Sequence, residues 1–158
     1  MRLYASGDHY LFCIYILIKN IIKWELDMTP LIGGSQEILN LWVNYFNDNN
    51  ALGIMDLYDE NASLIPTFSP TFAKNYKEIK GYFDKLFLKQ SINVKLEEDS
   101  IDKFDASNCH IIFGNYTFSH KMDDNLLTFP CRYTFILDLE RSRPILHHHS
   151  SQTPGYTS

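Results

Sequence analysis

The spacing of apolar residues changes period once along this chain, near Lys89, and that change restricts the fold more than any other feature. Before it, Ile38, Leu39, Trp42, Val43, Tyr45 and Phe46 recur at helical spacing. Ser35 is suited to cap that helix, and Asn47-Asp48-Asn49-Asn50 ends it. A second, short helix is expected over residues 51–58, then a turn at Asp59-Glu60-Asn61 and a short strand over residues 62–65 stopped by Pro66. Residues 66–74 read as a loop, and Tyr76, Ile79, Tyr82, Phe83, Leu86 and Phe87 form a third helical stripe. After Lys89, residues 93–104, 109–120, 126–140 and 144–151 read as four long strands separated by short turns, which makes consecutive strands antiparallel neighbours. The order α-α-β-α-β-β-β-β predicts an α+β domain. A curved antiparallel sheet packs against three helices, and an apolar pocket lies on its concave side.

Alternation assigns side chains to faces. Ile112, Gly114, Tyr116 and Phe118 share one side, and Cys131, Tyr133, Phe135 and Leu137 form an apolar side that should meet the helices or a subunit contact. Arg132 lies on the mixed side of its strand. In the last strand Ile145, His147, His149 and Ser151 share one side, and Leu146, His148 and Ser150 the other.

A net charge of −5 opposes nucleic acid as a partner, since phosphate binding needs a surplus of Lys and Arg. Three cysteines, Cys13, Cys109 and Cys131, are too few and odd for a disulfide framework. Cys109 and Cys131 fall in neighbouring strands and could approach, but reduced buried thiols are the expectation.

Residues 10–18 (YLFCIYILI) are continuously apolar yet too short to cross a bilayer as a helix. Residues 1–27 lack a basic amino-terminal region and a small-residue cleavage site, which opposes cleavable export, and Asp8 with no basic face opposes a membrane partner. The expected compartment is cytoplasmic, with export open if residues 1–27 act as a signal segment and Met28 open as an alternative start. The organisation read from this is an apolar extension at 1–36, a domain at 37–154 and a tail at 155–158.

Several segments carry a family resemblance. They are Leu57-Tyr58 with the stretch at 62–70 (ASLIPTFSP), Ile79-Lys80-Gly81-Tyr82-Phe83, Gly114-Asn115-Tyr116-Thr117-Phe118, Cys131-Arg132-Tyr133-Thr134-Phe135, and Ile145-Leu146-His147-His148-His149-Ser150-Ser151 with Pro154. In order and spacing these resemble the association domain of calcium/calmodulin-dependent protein kinase II and its free-standing bacterial relatives in the nuclear transport factor 2-like (SnoaL-like) superfamily. The resemblance implies a cone-shaped fold that forms homodimers or larger rings through the sheet's outer face. It also implies a pocket where the kinase hub gathers arginines; Arg132 matches one of them, while Thr117 and Ser150 stand at two others. Arg143-Pro144 replaces the tryptophan usual before the last strand. No kinase element is present: there is no glycine-rich phosphate loop and no HRD or DFG triplet.

The candidate site residues are Arg132, Tyr116, His147 and His149. Arg132 would fix a small anionic molecule, Tyr116 would donate a phenolic hydrogen bond, and His147 or His149 would move a proton. Alternatively, Arg132 is a structural cation paired with Asp or Glu. His147 and His149 have the H-x-H spacing of a zinc chelate, but no third ligand is evident beyond Asp138 or Glu140, so neither a metal nor a cofactor is expected. Self-association is the expected role. Small-molecule binding, or cofactor-independent isomerase, cyclase or dehydratase chemistry, is the rival.

Overall fold

The computed structural model describes residues 34–89 and 91–155. The expectations for residues 1–27 and Met28 lie outside the described residues. Helix α1 (Ser35–Asn47) buries Ile38, Leu39, Trp42 and Phe46, the stripe its periodicity predicts. Its N-cap is Gly34 at φ 94°, with no side-chain cap, and Ser35 is instead its buried first residue. Helix α2 (Ala51–Leu57) is capped by Asn50, whose side chain accepts a 2.9 Å hydrogen bond from the Gly53 N–H. Gly53 lies under Tyr45, where a Cβ would come within 2.8 Å of the ring, so glycine is what lets α2 fold back on α1.

Strand β1 (Tyr58–Ile65) follows α2 directly. Asp59, Glu60 and Asn61, expected as a turn, lie within it, where a register shift between Tyr58 and Ser63 absorbs the extra residues. Helix α3 (Tyr76–Leu86) begins with a reciprocal cap: Asn75 accepts from the Glu78 N–H, and the Glu78 carboxylate accepts from the Lys74 N–H.

The remaining strands are β2 (Asn93–Leu96), β3 (Asp102–Ala106), β4 (Cys109–Met122), β5 (Asn125–Leu137) and β6 (Ile145–Gln152). The sheet order is β1-β6-β5-β4-β2, with β3 also on β4. Two expectations are corrected here. The β1–β6 pair is parallel, so the sheet is mixed, as the long connection between those strands permits. The strand expected over 93–104 is broken by a 3₁₀ turn at Glu98–Ser100. The break is held by Asn115 of β4, whose carbonyl accepts from the Glu97 N–H (3.0 Å) and whose N–H donates to Ser100 Oγ (2.8 Å).

The three helices pack on the concave face of this curved, unclosed sheet. Trp42 sits at the centre, its ring 5.2 Å from Phe46, 5.5 Å from Phe135 and 5.2 Å from His148. The apolar side of β5, Cys131, Tyr133, Phe135 and Leu137, is buried there as the alternation predicts. Among the described residues no helix is long and apolar enough to cross a membrane.

Candidate functional site

Cross-strand register decides which side chains meet. Tyr116 lies opposite Cys131, Tyr133 opposite Ser150 and Phe135 opposite His148, so all six occupy the concave face. Arg132 pairs with Ser151 and Asn115, Thr134 with His149, and Ser63 with His147, which puts Arg132, His147 and His149 on the convex face. The four expected site residues therefore do not share one pocket, because the sheet stands between Tyr116 and the other three.

On the convex face Arg132 and His149 border a shallow cleft of about 270 Å³ with Thr134 and Ser151. His147 Nδ1 is 2.7 Å from Ser63 Oγ, and burial, then repulsion from His149, lowers its pKa. Arg132 is exposed and pairs with no carboxylate among the described residues of this chain. Asp138 binds Arg141 and does not turn toward the histidines. No group of three or more His, Cys, Asp or Glu side chains among the described residues is placed to hold a metal ion.

The concave face carries the chemistry that the alternation pattern left unnamed. Trp42 Nε1–H donates to Tyr58 Oη (3.2 Å), and Tyr58 Oη lies 2.7 Å from His148 Nδ1. His148 Nε2 lies 3.3 Å from Tyr116 Oη, and Tyr116 O–H donates to Ser150 Oγ (2.5 Å). Ser150 meets the Thr67 hydroxyl, Thr67 O–H donates to Cys131 Sγ (3.9 Å), and Cys131 S–H donates to the Phe129 carbonyl (3.2 Å).

These contacts form a chain with one consistent sense. An indole N–H can only donate and a carbonyl can only accept, so the two ends are fixed. Tyr58 accepts from Trp42 and has one remaining partner for its own proton, His148 Nδ1. The imidazole is thereby assigned as the neutral Nε2–H tautomer, donating to Tyr116. Ser150 then donates to Thr67, since Tyr116 already donates to Ser150. Every polar atom in the chain is satisfied, as burial requires.

Desolvation sets the charge states. Burial pushes the pKa of His148 well below the usual imidazole value, with His147 and His149 adding repulsion. Burial also raises Tyr58 and Tyr116 well above the ordinary phenol. The Cys131 thiol is pushed up to about 11 by burial, against the Thr67 hydrogen bond. No Asp or Glu is buried among the described residues. Cys109 lies opposite Ala106, seven residues along β4 from Tyr116, the partner of Cys131. That is about 23 Å at roughly 3.3 Å per residue, so the two thiols do not approach.

A void of about 10 Å³ touches His148, Ser150 and Trp42, room for about one water. Tyr82 and Leu86 line it from α3 and also line an outer groove of about 630 Å³ between α3 and the loop carrying Phe68 and Phe72. Tyr82 is held there by a backbone hydrogen bond with Phe68.

The architecture recurs in solved structures. A protein from Xanthomonas campestris described as a calcium/calmodulin-dependent protein kinase II association domain superposes with a TM-score of 0.66 at 22% identity, over 75% of this chain and 85% of that one. A nuclear transport factor 2-like protein from Streptomyces avermitilis described as a dehydratase gives 0.67 at 9% identity, covering 77% and 95%. A nuclear transport factor 2-like superfamily protein from Salmonella enterica gives 0.64 at 14%, covering 77% and 89%. At these identities the likeness concerns the fold. No curated protein matches the chain by sequence. The SnoaL-like domain family model matches residues 36–155, which include the described helices and strands but for Ser35 and the whole hydrogen-bonded chain from Trp42 to Cys131; this chain belongs to the SnoaL-like domain family and has the nuclear transport factor 2-like fold.

Proposed function

We propose that this domain associates with a second copy of itself through the convex face of its sheet. The contrast between the two faces carries the reading. The concave face is packed by Trp42, Phe46, Tyr116, Phe118 and Phe135, leaving a void of about 10 Å³. The convex face of β4 and β5 presents Ile111, Phe113, Thr134 and Ile136, each only half-buried, with no described helix over them. A half-apolar sheet face with little charge is what a sheet-to-sheet contact needs. The Xanthomonas neighbour is described as an association domain, which supports the same reading.

Light scattering behind size exclusion tests it. The wild-type chain runs as a dimer or larger at micromolar concentration, and Phe113→Asp with Ile136→Asp converts it to a folded monomer. A wild-type monomer at that concentration overturns the proposal.

A second reading, small-molecule binding or acid–base catalysis, is favoured by the groove that shares Tyr82 and Leu86 with the void beside His148. Here neutral His148 and Tyr116 take the parts expected of His147, His149 and Arg132. One of the neighbours is described as a dehydratase and another as an epoxide hydrolase/cyclase-like enzyme. A ligand-induced rise in Tm that is lost in Leu86→Arg supports this reading, and no ligand-dependent shift across a panel of small apolar acids and alcohols counts against it.

A further inference from the structure

The outer groove has the size of a small-molecule site, since such sites run to about 300–1,000 Å³. Its charges are not spread evenly. At one end Glu78 is committed to the start of α3, where its carboxylate accepts the Lys74 N–H at 2.8 Å. At the other end Lys85 and Lys89 line the groove, and neither has a carboxylate partner among the described residues, whereas the neighbouring Lys80 is paired with Asp84. Tyr82, Lys85 and Leu86 lie within the last turns of α3 and Lys89 follows three residues past its end, which places an apolar floor and a cationic rim at the C-terminal end of the helix. Phe72, 61% exposed, forms part of the facing wall with Phe68.

We infer that the groove binds an amphiphilic monocarboxylate, with its apolar body on Phe68, Tyr82 and Leu86 and its carboxylate at Lys85 and Lys89. The inference rests on the small-molecule reading above and gives it a ligand class. Charge complementarity selects the anion. The C-terminal end of α3 lies at the same rim and opposes it with about half a negative charge, less than the two full positive charges of the lysines. Net charge over the whole molecule is −5, so this rim is a local exception. An apolar body alone would bind without regard to its head group; the lysines make the head group matter.

Calorimetry on the full chain with decanoate and, separately, decanol, both below their aggregation concentrations, tests this. Decanoate binds the wild type, and Lys85→Glu with Lys89→Glu weakens it about tenfold or more, as does raising the salt. Decanol binds the wild type and the double variant alike, more weakly than decanoate binds the wild type. Equal affinity for decanol and decanoate, or decanoate binding untouched by the double variant, overturns the anionic class while leaving a small-molecule site. Failure of both ligands to bind the wild type overturns the site itself.

Discussion

Tyr58 Oη stands 2.7 Å from His148 Nδ1 across ninety residues of sequence, and this contact fixes the tautomer of a fully buried imidazole. The proton on Tyr58 has no other acceptor, so the ring must carry its own hydrogen on Nε2, toward Tyr116.

The charge state of His148 makes the fold acid-sensitive. Above about pH 6.5 the ring is neutral in both folded and unfolded chains and stability is independent of it. Below that, the unfolded chain takes up a proton that the buried ring refuses. Stability therefore falls as pH drops from about 6.5 toward the lowered folded value, at about 1.4 kcal/mol per pH unit for this group. His147, also lowered, acts in the same direction. Urea titrations at pH 7, 6 and 5 should show His148→Gln with a shallower pH dependence than the wild type. Identical slopes would mean that the imidazole titrates normally.

Two buried tyrosines should respond oppositely to loss of the hydroxyl. Tyr116→Phe strands the His148 Nε2–H and removes the donor to Ser150, at a cost of about 1–3 kcal/mol. Tyr133 Oη is the buried side-chain polar atom that lacks a partner among the described residues, so Tyr133→Phe should be neutral or stabilising. Chemical denaturation of both variants decides it, and a comparable loss in Tyr133→Phe would reveal a partner for that hydroxyl.

Gly114 is required by what surrounds it. A Cβ there would lie 2.9 Å from Tyr133 Oη and 3.0 Å from the Ser100 carbonyl, so Gly114→Ala should cost about 1–3 kcal/mol. Part of that loss should return in Gly114→Ala/Tyr133→Phe, where one of the two contacts is gone. A double-mutant cycle measures the recovery; strict additivity would place the strain at Ser100 alone.

Thiol reactivity should separate the two described cysteines. In a Cys13→Ser background, Cys109 is half-buried and should react with an aromatic disulfide reagent in the native state. Cys131 is buried, protonated and held between Thr67 and the Phe129 carbonyl, and should react only on unfolding. Two equivalents released at one rate would contradict this placement.

The helices were readable because a single amphipathic period suffices to bury Ile38, Leu39, Trp42 and Phe46 together. The strand alternation likewise separated Arg132 from Tyr133 and His147 from His148. It did not say which side of β4 faces inward with which side of β6. That depends on register, and the error of joining Tyr116 to Arg132 came from there. His148 carried a local signal, standing on the same side as Ser150 in a strand whose other side holds His147 and His149, but its partners Trp42 and Tyr58 come from a helix and a distant strand. The break at Glu98–Ser100 was equally hidden, since Asn115 and Gly114 of a neighbouring strand create it. The span at 59–61 looked like a turn because its polar residues face water at a sheet edge.

The chain of contacts from Trp42 to the Phe129 carbonyl also gives the interior an electrical direction. Each N–H, O–H or S–H in it donates toward the same end, so each bond polarises the next along the path. Its sense is fixed at one end by the indole of Trp42, which can only donate, and at the other by the Phe129 carbonyl, which can only accept. Replacing Trp42 with phenylalanine would release the first of these constraints and let Tyr58 and His148 exchange donor and acceptor parts, while the Phe129 carbonyl would still hold Cys131 as its donor.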